Sequence, residues 1–204
     1  MYRPPAFAMD DDAALDVVVR RPLAQLIVVA DGVPLATPVP MIVRGDSLVG
    51  HLARTNPVWK HPGPGLAIFT DADAYITPRW YPGKAVDGKV VQTWNYTTVQ
   101  IRGRLVVHDD PAWTHGVVSD LTDHFESSSE APWAVTDAPD AWVASMVRGI
   151  VGVELVDLQI VGKHKLSQNR SVDDRLAVAD GLDGLGDAPG SATRLVSEAM
   201  RRTL

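Results

Sequence analysis

The sequence contains no cysteine, which excludes disulfides, thiolate metal sites and a cysteine nucleophile together. That absence suits a reducing cytoplasm, the compartment expected here. No apolar run reaches the ~18 residues that a membrane span needs. The start, Met1-Tyr2-Arg3-Pro4-Pro5, has none of the apolar stretch of a signal peptide. Positive charge is in short supply: 19 Lys and Arg face 25 Asp and Glu, a formal net charge of −6. Non-specific nucleic-acid binding runs mainly on Lys and Arg meeting phosphates, so direct DNA binding is not expected. No segment reads as a helix-turn-helix either.

Several familiar chemistries are missing as well. The six histidines lack metal-ligand spacing, so no metal site is expected. Asp71-Ala72-Asp73 looks like a fragment of a calcium loop but lacks the Gly and Glu required at later positions. There is no Gly-x-Gly-x-x-Gly and no phosphate-loop pattern. Ser167 has no flanking Gly elbow, so no catalytic residue is assigned and turnover stays open.

What is present is globular. A chain of 204 residues with 46% hydrophobic and 22% charged content buries a substantial core. Asp10-Asp11-Asp12 before Ala13 to Val19 predicts an acid-capped helix. Ala24 to Ala30, Asp31-Gly32 and Val33 to Val43 predict a hairpin, because Asp-Gly accepts the left-handed backbone of a tight turn. Further strands are expected at Ser47 to Leu52, Leu66 to Phe69, Ala74 to Thr77, Gln92 to His108 and Ile150 to Gly162, with a Pro/Gly-rich loop from Pro57 to Gly65. Gly103 inside a long strand predicts a bend or a close backbone approach. Helices are expected over Pro111 to Phe125, Ala141 to Val147, Ser171 to Leu182 and from Ser191 to about Arg202. About six short strands with peripheral helices predict a small closed β-barrel.

Three strings stand out against this frame. Gly50-His51-Leu52-Ala53-Arg54-Thr55-Asn56-Pro57 places polar groups at a strand end. It is either a surface turn or an Arg fork with neighbouring donors for a phosphate. Trp80-Tyr81 between Pro78 and Pro82, together with Thr93-Trp94-Asn95-Tyr96, is either core-facing or an aromatic binding surface for a flat heterocycle. Lys163-His164-Lys165-Leu166-Ser167-Gln168-Asn169-Arg170 carries no Asp or Glu. It reads as a protected edge strand or as a donor set for a polyanion.

Taken in order, Gly50-His51, Asn56-Pro57-Val58-Trp59, Ala74-Tyr75-Ile76, Trp80-Tyr81, Thr93-Trp94-Asn95-Tyr96, Gly149-Ile150-Val151-Gly152 and Lys165-Leu166-Ser167-Gln168-Asn169-Arg170 resemble the PaiB family of FMN-binding negative transcriptional regulators. The resemblance runs from Met1 to about Leu182. It implies an α+β fold, the FMN-binding split β-barrel of pyridoxamine-phosphate oxidase-like flavoproteins, as a single domain over residues 1–204 with C-terminal helices about 171–204. It also implies a homodimer with FMN at the subunit interface. Carried over, His51, Arg54 and Asn56 would lie near the phosphate, with Arg54 the strongest single contact, and Trp94 and Asn95 would border the ring. Lys163, Lys165, Gln168 and Arg170 would reach the cleft from the last barrel strand. The chain has Pro38, Asp73 and Gln100 where members often carry His, which bears on the ligand it accepts. The functions that follow are an FMN-dependent regulator acting indirectly, a flavin-dependent oxidoreductase on a small molecule, or a barrel that binds another ligand.

Overall fold

The computed structural model describes all 204 residues. Six helices, α1 (Asp11–Arg20), α2 (Gly83–Val86), α3 (Pro111–Glu126), α4 (Asp140–Arg148), α5 (Val172–Asp183) and α6 (Ala192–Arg202), accompany seven strands. The strands are β1 (Leu23–Ala30), β2 (Val33–Pro40), β3 (Ile42–Arg44), β4 (Ser47–Ala53), β5 (Gly63–Ile76), β6 (Thr93–His108) and β7 (Ile150–Lys165). They form one sheet in the order β2-β1-β5-β6-β7-β4-β3. The long strands expected at Gln92 to His108 and Ile150 to Gly162 are β6 and β7, at 16 residues each, and β5 is a third long strand of 14.

Local chemistry explains most boundaries. Asp31 (φ 51°) and Gly32 (φ 80°) are both left-handed, and Ala30 pairs with Val33 across the turn they make. The predicted strand from Val33 to Val43 breaks at Met41, whose N–H donates to the Pro22 carbonyl at 2.8 Å. Pro34, Pro38 and Pro40 are tolerated because β2 is an edge of the sheet, where a missing donor leaves no gap in the ladder. Leu66 to Phe69 and Ala74 to Thr77, expected apart, are joined in β5, so Asp71-Ala72-Asp73 is strand and not a cation loop. Of the predicted loop, Pro57–Lys60 is a 3-10 turn and Gly63 already begins β5.

The chain divides into two compact units. One comprises Val18–Phe69 and Gln100–Ile160. Its core contains Leu26, Val28, Leu48, Phe69, Ile101, Leu105, Val153 and Leu155. Here α3 lays Val117 and Leu121 onto Ile42 and Val49. A Cβ on Gly103 would stand 2.5 Å from the Val156 carbonyl oxygen, so the predicted close approach is between backbones.

The other unit comprises Met1–Val17, Thr70–Val99 and Val161–Leu204. Its core joins Ala74, Ile76, Tyr81 and Leu166 to Val178 and Leu182 of α5 and to Val196 and Met200 of α6. Both helices start at serine caps: Ser171 accepts from the Asp174 N–H and Ser191 from the Arg194 N–H. Such caps satisfy donors that the first helical turn leaves unpaired. Arg194 pairs with Asp183, and Arg201 with Asp180 and Asp183, holding α6 along α5.

Candidate functional site

The string after β7 builds a cleft in this second unit. It has a volume of about 220 Å³, and its walls include Phe7, Tyr81, Thr93, Lys165, Ser167 and Arg170. The pleat of β7 sends Lys163 and Lys165 to one face, as their spacing requires. The Lys165 ammonium donates to the Thr93 hydroxyl and the Trp94 carbonyl, both uncharged. Burial, and then the neighbouring Lys163, push its pKa below the usual lysine value. Lys163 is buried, donates to the Tyr2 carbonyl at 3.3 Å, and lies over the Tyr96 ring at 5.2 Å.

Past β7 the chain turns. Ser167 is left-handed (φ 64°), and its carbonyl accepts from the Arg170 N–H at 2.9 Å. Gln168 closes this turn with its own side chain. Its Oε1 accepts from the Leu166 N–H at 2.8 Å, and its Nε2 donates to the His164 carbonyl at 2.9 Å. It therefore shapes the cleft while its amide is committed to backbone. Arg170 sets its guanidinium 5.1 Å from the Tyr81 ring centroid. Burial pushes the Tyr81 phenol up, opposed by the Ser167 hydroxyl and the charge of Arg170, so it stays protonated at neutral pH.

The two aromatic-string residues diverge. Trp94 is 54% exposed and meets Tyr75 edge-on, with ring centroids 6.0 Å apart. Asn95 is fully buried. Its Nδ2 donates to the Met200 sulfur at 3.3 Å and its Oδ1 accepts from the Ser167 hydroxyl at 3.1 Å.

The strand-end cluster lies in the first unit and is occupied by its own chain. Arg54, expected as the phosphate fork, instead gives Nη1 and Nη2 to the Asp109 carboxylate at 3.1 and 2.6 Å. Its Nε donates to the Arg148 carbonyl at 3.0 Å, and Nη2 also reaches the Ile150 carbonyl at 3.3 Å. A guanidinium neutralised this way has little left for a phosphate. Asn56 is spent too: it accepts from the Val58 N–H at 3.0 Å and donates to the Thr37 hydroxyl at 2.9 Å. Burial lowers the His51 pKa, so the ring is neutral near pH 7, and its Nδ1 is buried without a partner.

Sequence reasoning missed Tyr81 and Thr93 as neighbours of Arg170 and Lys165, since only the fold brings them together. Pro38, Asp73 and Gln100 do not line this cleft. A larger cavity of about 450 Å³ lies between α3 and α4, walled by Pro111, Ala112, Val143 and Val147, and holds none of the expected residues.

Fit to a phosphate-bearing ligand is a matter of donors. Lys165 and Arg170 are cations whose own partners are uncharged, which is the donor set an anion requires. The cleft is smaller than the ~300–1,000 Å³ of complete small-molecule pockets. It suits the phosphate end of a nucleotide and not the whole of one.

Comparison with known proteins agrees with this frame. An uncharacterized protein of Aspergillus fumigatus is 32% identical over 162 residues, 71% of this chain and 62% of that one. The chain thus spans less than two thirds of that relative, and about half of two further fungal ones. Protease synthase and sporulation protein PAI 2 (PaiB) of Bacillus subtilis is 26% identical over 190 residues, with 89% of each chain covered. Among solved structures, the FAD and heme binding protein of Mycobacterium smegmatis superposes with a TM-score of 0.59 at 20% identity, covering 82% of this chain and 77% of that one. The fold is accordingly α+β, with the sheet and helices arranged as in that solved structure. The family described as "Putative FMN-binding domain" matches residues 1–156. With that share of its 204 residues inside the match, this chain belongs to the FMN-binding domain family in which the PaiB resemblance placed it.

Proposed function

We propose that this protein binds FMN, with the phosphate held by Lys165 and Arg170, and acts as a flavin-dependent regulator whose effect on transcription is indirect. The carrying observation is that both cations line one cleft and face only uncharged partners. Thr93 and the Trp94 carbonyl orient the ammonium, Tyr81 supports the guanidinium, and buried Lys163 adds positive potential behind them. When bound, the flavin supplies a redox-active ring, and the protein supplies orientation and charge around it.

Two subunits complete the site in this reading. The cleft is too small for the nucleotide, and the Trp94–Tyr75 pair with Val91 is exposed beside the strand carrying Thr93. Exposed aromatic patches of this kind mark binding surfaces. Light scattering at micromolar concentration is expected to return twice the 22.0 kDa chain mass; a monomer mass rules the paired site out.

The direct test of the ligand is the absorbance spectrum of the purified protein, followed by chromatography of the released chromophore. A yellow protein releasing FMN is the expected result. Release of FAD changes the nucleotide, and a colourless protein that takes up neither flavin on titration refutes the reading. Steady bleaching by NAD(P)H, with turnover on an acceptor, makes the protein an oxidoreductase instead.

A further inference from the structure

Asn95 is the most deeply buried polar side chain of the chain, with no solvent exposure. A buried amide requires partners, and this one has two. Met200 belongs to α6, and Ser167 lines the cleft. Ser167 is one of only three non-glycine residues with positive φ, at +64°. An L-residue pays for that conformation through its Cβ, whereas glycine enters it freely. Strained residues of this kind persist where surrounding structure holds them and cluster at ligand clamps.

We propose that Asn95 is a positioning residue for the anion cleft, an inference resting on the phosphate reading given above. By accepting the Ser167 hydroxyl, it holds residue 167 in the left-handed turn that presents Asn169 and Arg170 to the ligand. The hydroxyl bond at 3.1 Å fixes the side chain, and the Ser167 carbonyl to Arg170 N–H bond at 2.9 Å passes the turn on to the arginine. Through Met200, α6 becomes part of the support of the cleft, although it lies beyond residues 1–156 of the family match.

The test exploits the difference between alanine and glycine at one position. Ser167→Ala removes the hydroxyl and keeps the Cβ, so the turn loses its hold and FMN affinity is expected to fall about tenfold, the scale of one lost hydrogen bond. Ser167→Gly removes the same hydroxyl but needs no hold, so it is expected to lose clearly less affinity than Ser167→Ala. Both variants leave Asn95 Oδ1 without its partner, and both are expected to melt earlier; the alanine is expected to bind worse than the glycine. Asn95→Ala is expected to match Ser167→Ala, and adding Ser167→Gly to it is expected to restore binding. Equal losses in the alanine and glycine variants mean that the hydroxyl itself touches the ligand and overturn the proposal, as does native affinity in both. Lys165→Met and Arg170→Met separate the two levels. If they leave FMN affinity unchanged, the phosphate reading fails and the positioning role fails with it. If they weaken binding while the Ser167 variants behave alike, only the positioning role is lost.

Discussion

Arg54 and Asp109 grip each other through two parallel N–H···O bonds, Nη1 to Oδ2 at 3.1 Å and Nη2 to Oδ1 at 2.6 Å. The pair joins the end of β4 to the residue just after β6. The same guanidinium ties both to the end of α4 through the Arg148 carbonyl and to the start of β7 through the Ile150 carbonyl. A residue with the chemistry of a phosphate ligand thus serves as a strap between strand ends.

Arg54→Met is expected to lower the melting temperature while leaving FMN affinity within about twofold, because Arg54 already has its carboxylate. Thermal melts and flavin titration of the variant check both halves. The hydrogen bond from Arg54 holds the Asp109 carboxyl below its usual range. A lowered carboxylate pKa stabilises the fold above the unfolded value and loses that contribution as pH falls through the folded one. The melting difference between native and variant is therefore expected to shrink below pH ~4. A tenfold loss of FMN affinity in Arg54→Met would return this residue to the ligand site.

Lys165→Met is expected to cost ~1.5–3 kcal/mol of FMN binding, ten- to a hundredfold, the range for hydrogen bonds to charged groups. Burial and Lys163 lower the native lysine's pKa. The anion needs the protonated form, so affinity is expected to weaken as pH rises, beginning below the ordinary lysine range. The pH profile of FMN binding in native protein and in Lys165→Met reads this directly. The slope is expected in the first and absent in the second.

Gly103→Ala is expected to destabilise the fold by about 1–3 kcal/mol, the usual cost of overpacking. The new Cβ would meet the Val156 carbonyl oxygen at 2.5 Å and Leu155 Cγ at 2.8 Å. A backbone oxygen cannot swing aside as a flexible side chain does. Chemical denaturation with an unchanged midpoint would show that the two strands separate cheaply there.

Duplex DNA is not expected to bind specifically. The net charge of −6 offers no general attraction to phosphate, and Lys163 and Lys165 are partly or wholly buried. A mobility-shift titration at near-physiological salt, using the upstream region of its own gene, tests this. A shift that survives excess competitor DNA would restore direct repression.

Helices and turns were legible where a local rule governs them. Ser171 and Ser191 announce helix starts because a side-chain oxygen must take up free N–H groups. Asp31-Gly32 announces its turn because both residues tolerate positive φ. The join of two predicted strands into β5 was not legible. Its Asp71 and Asp73 break the apolar pattern, and only cross-strand pairing keeps them extended.

The sequence by itself determined the family, the donor-rich string from Lys163 to Arg170 and the absence of thiol chemistry, since each is a property of residue type and order. Only the tertiary structure decided which donors are free. Arg54 and Arg170 are chemically identical, but one meets Asp109, 55 residues away, and the other meets the face of Tyr81. Asn95 sits beside exposed Trp94 in the sequence, yet faces Met200, 105 residues away, because neighbours on a strand point to opposite faces. Whether a polar side chain serves a ligand or the fold depends on what long-range packing sets opposite it, and local order does not encode that.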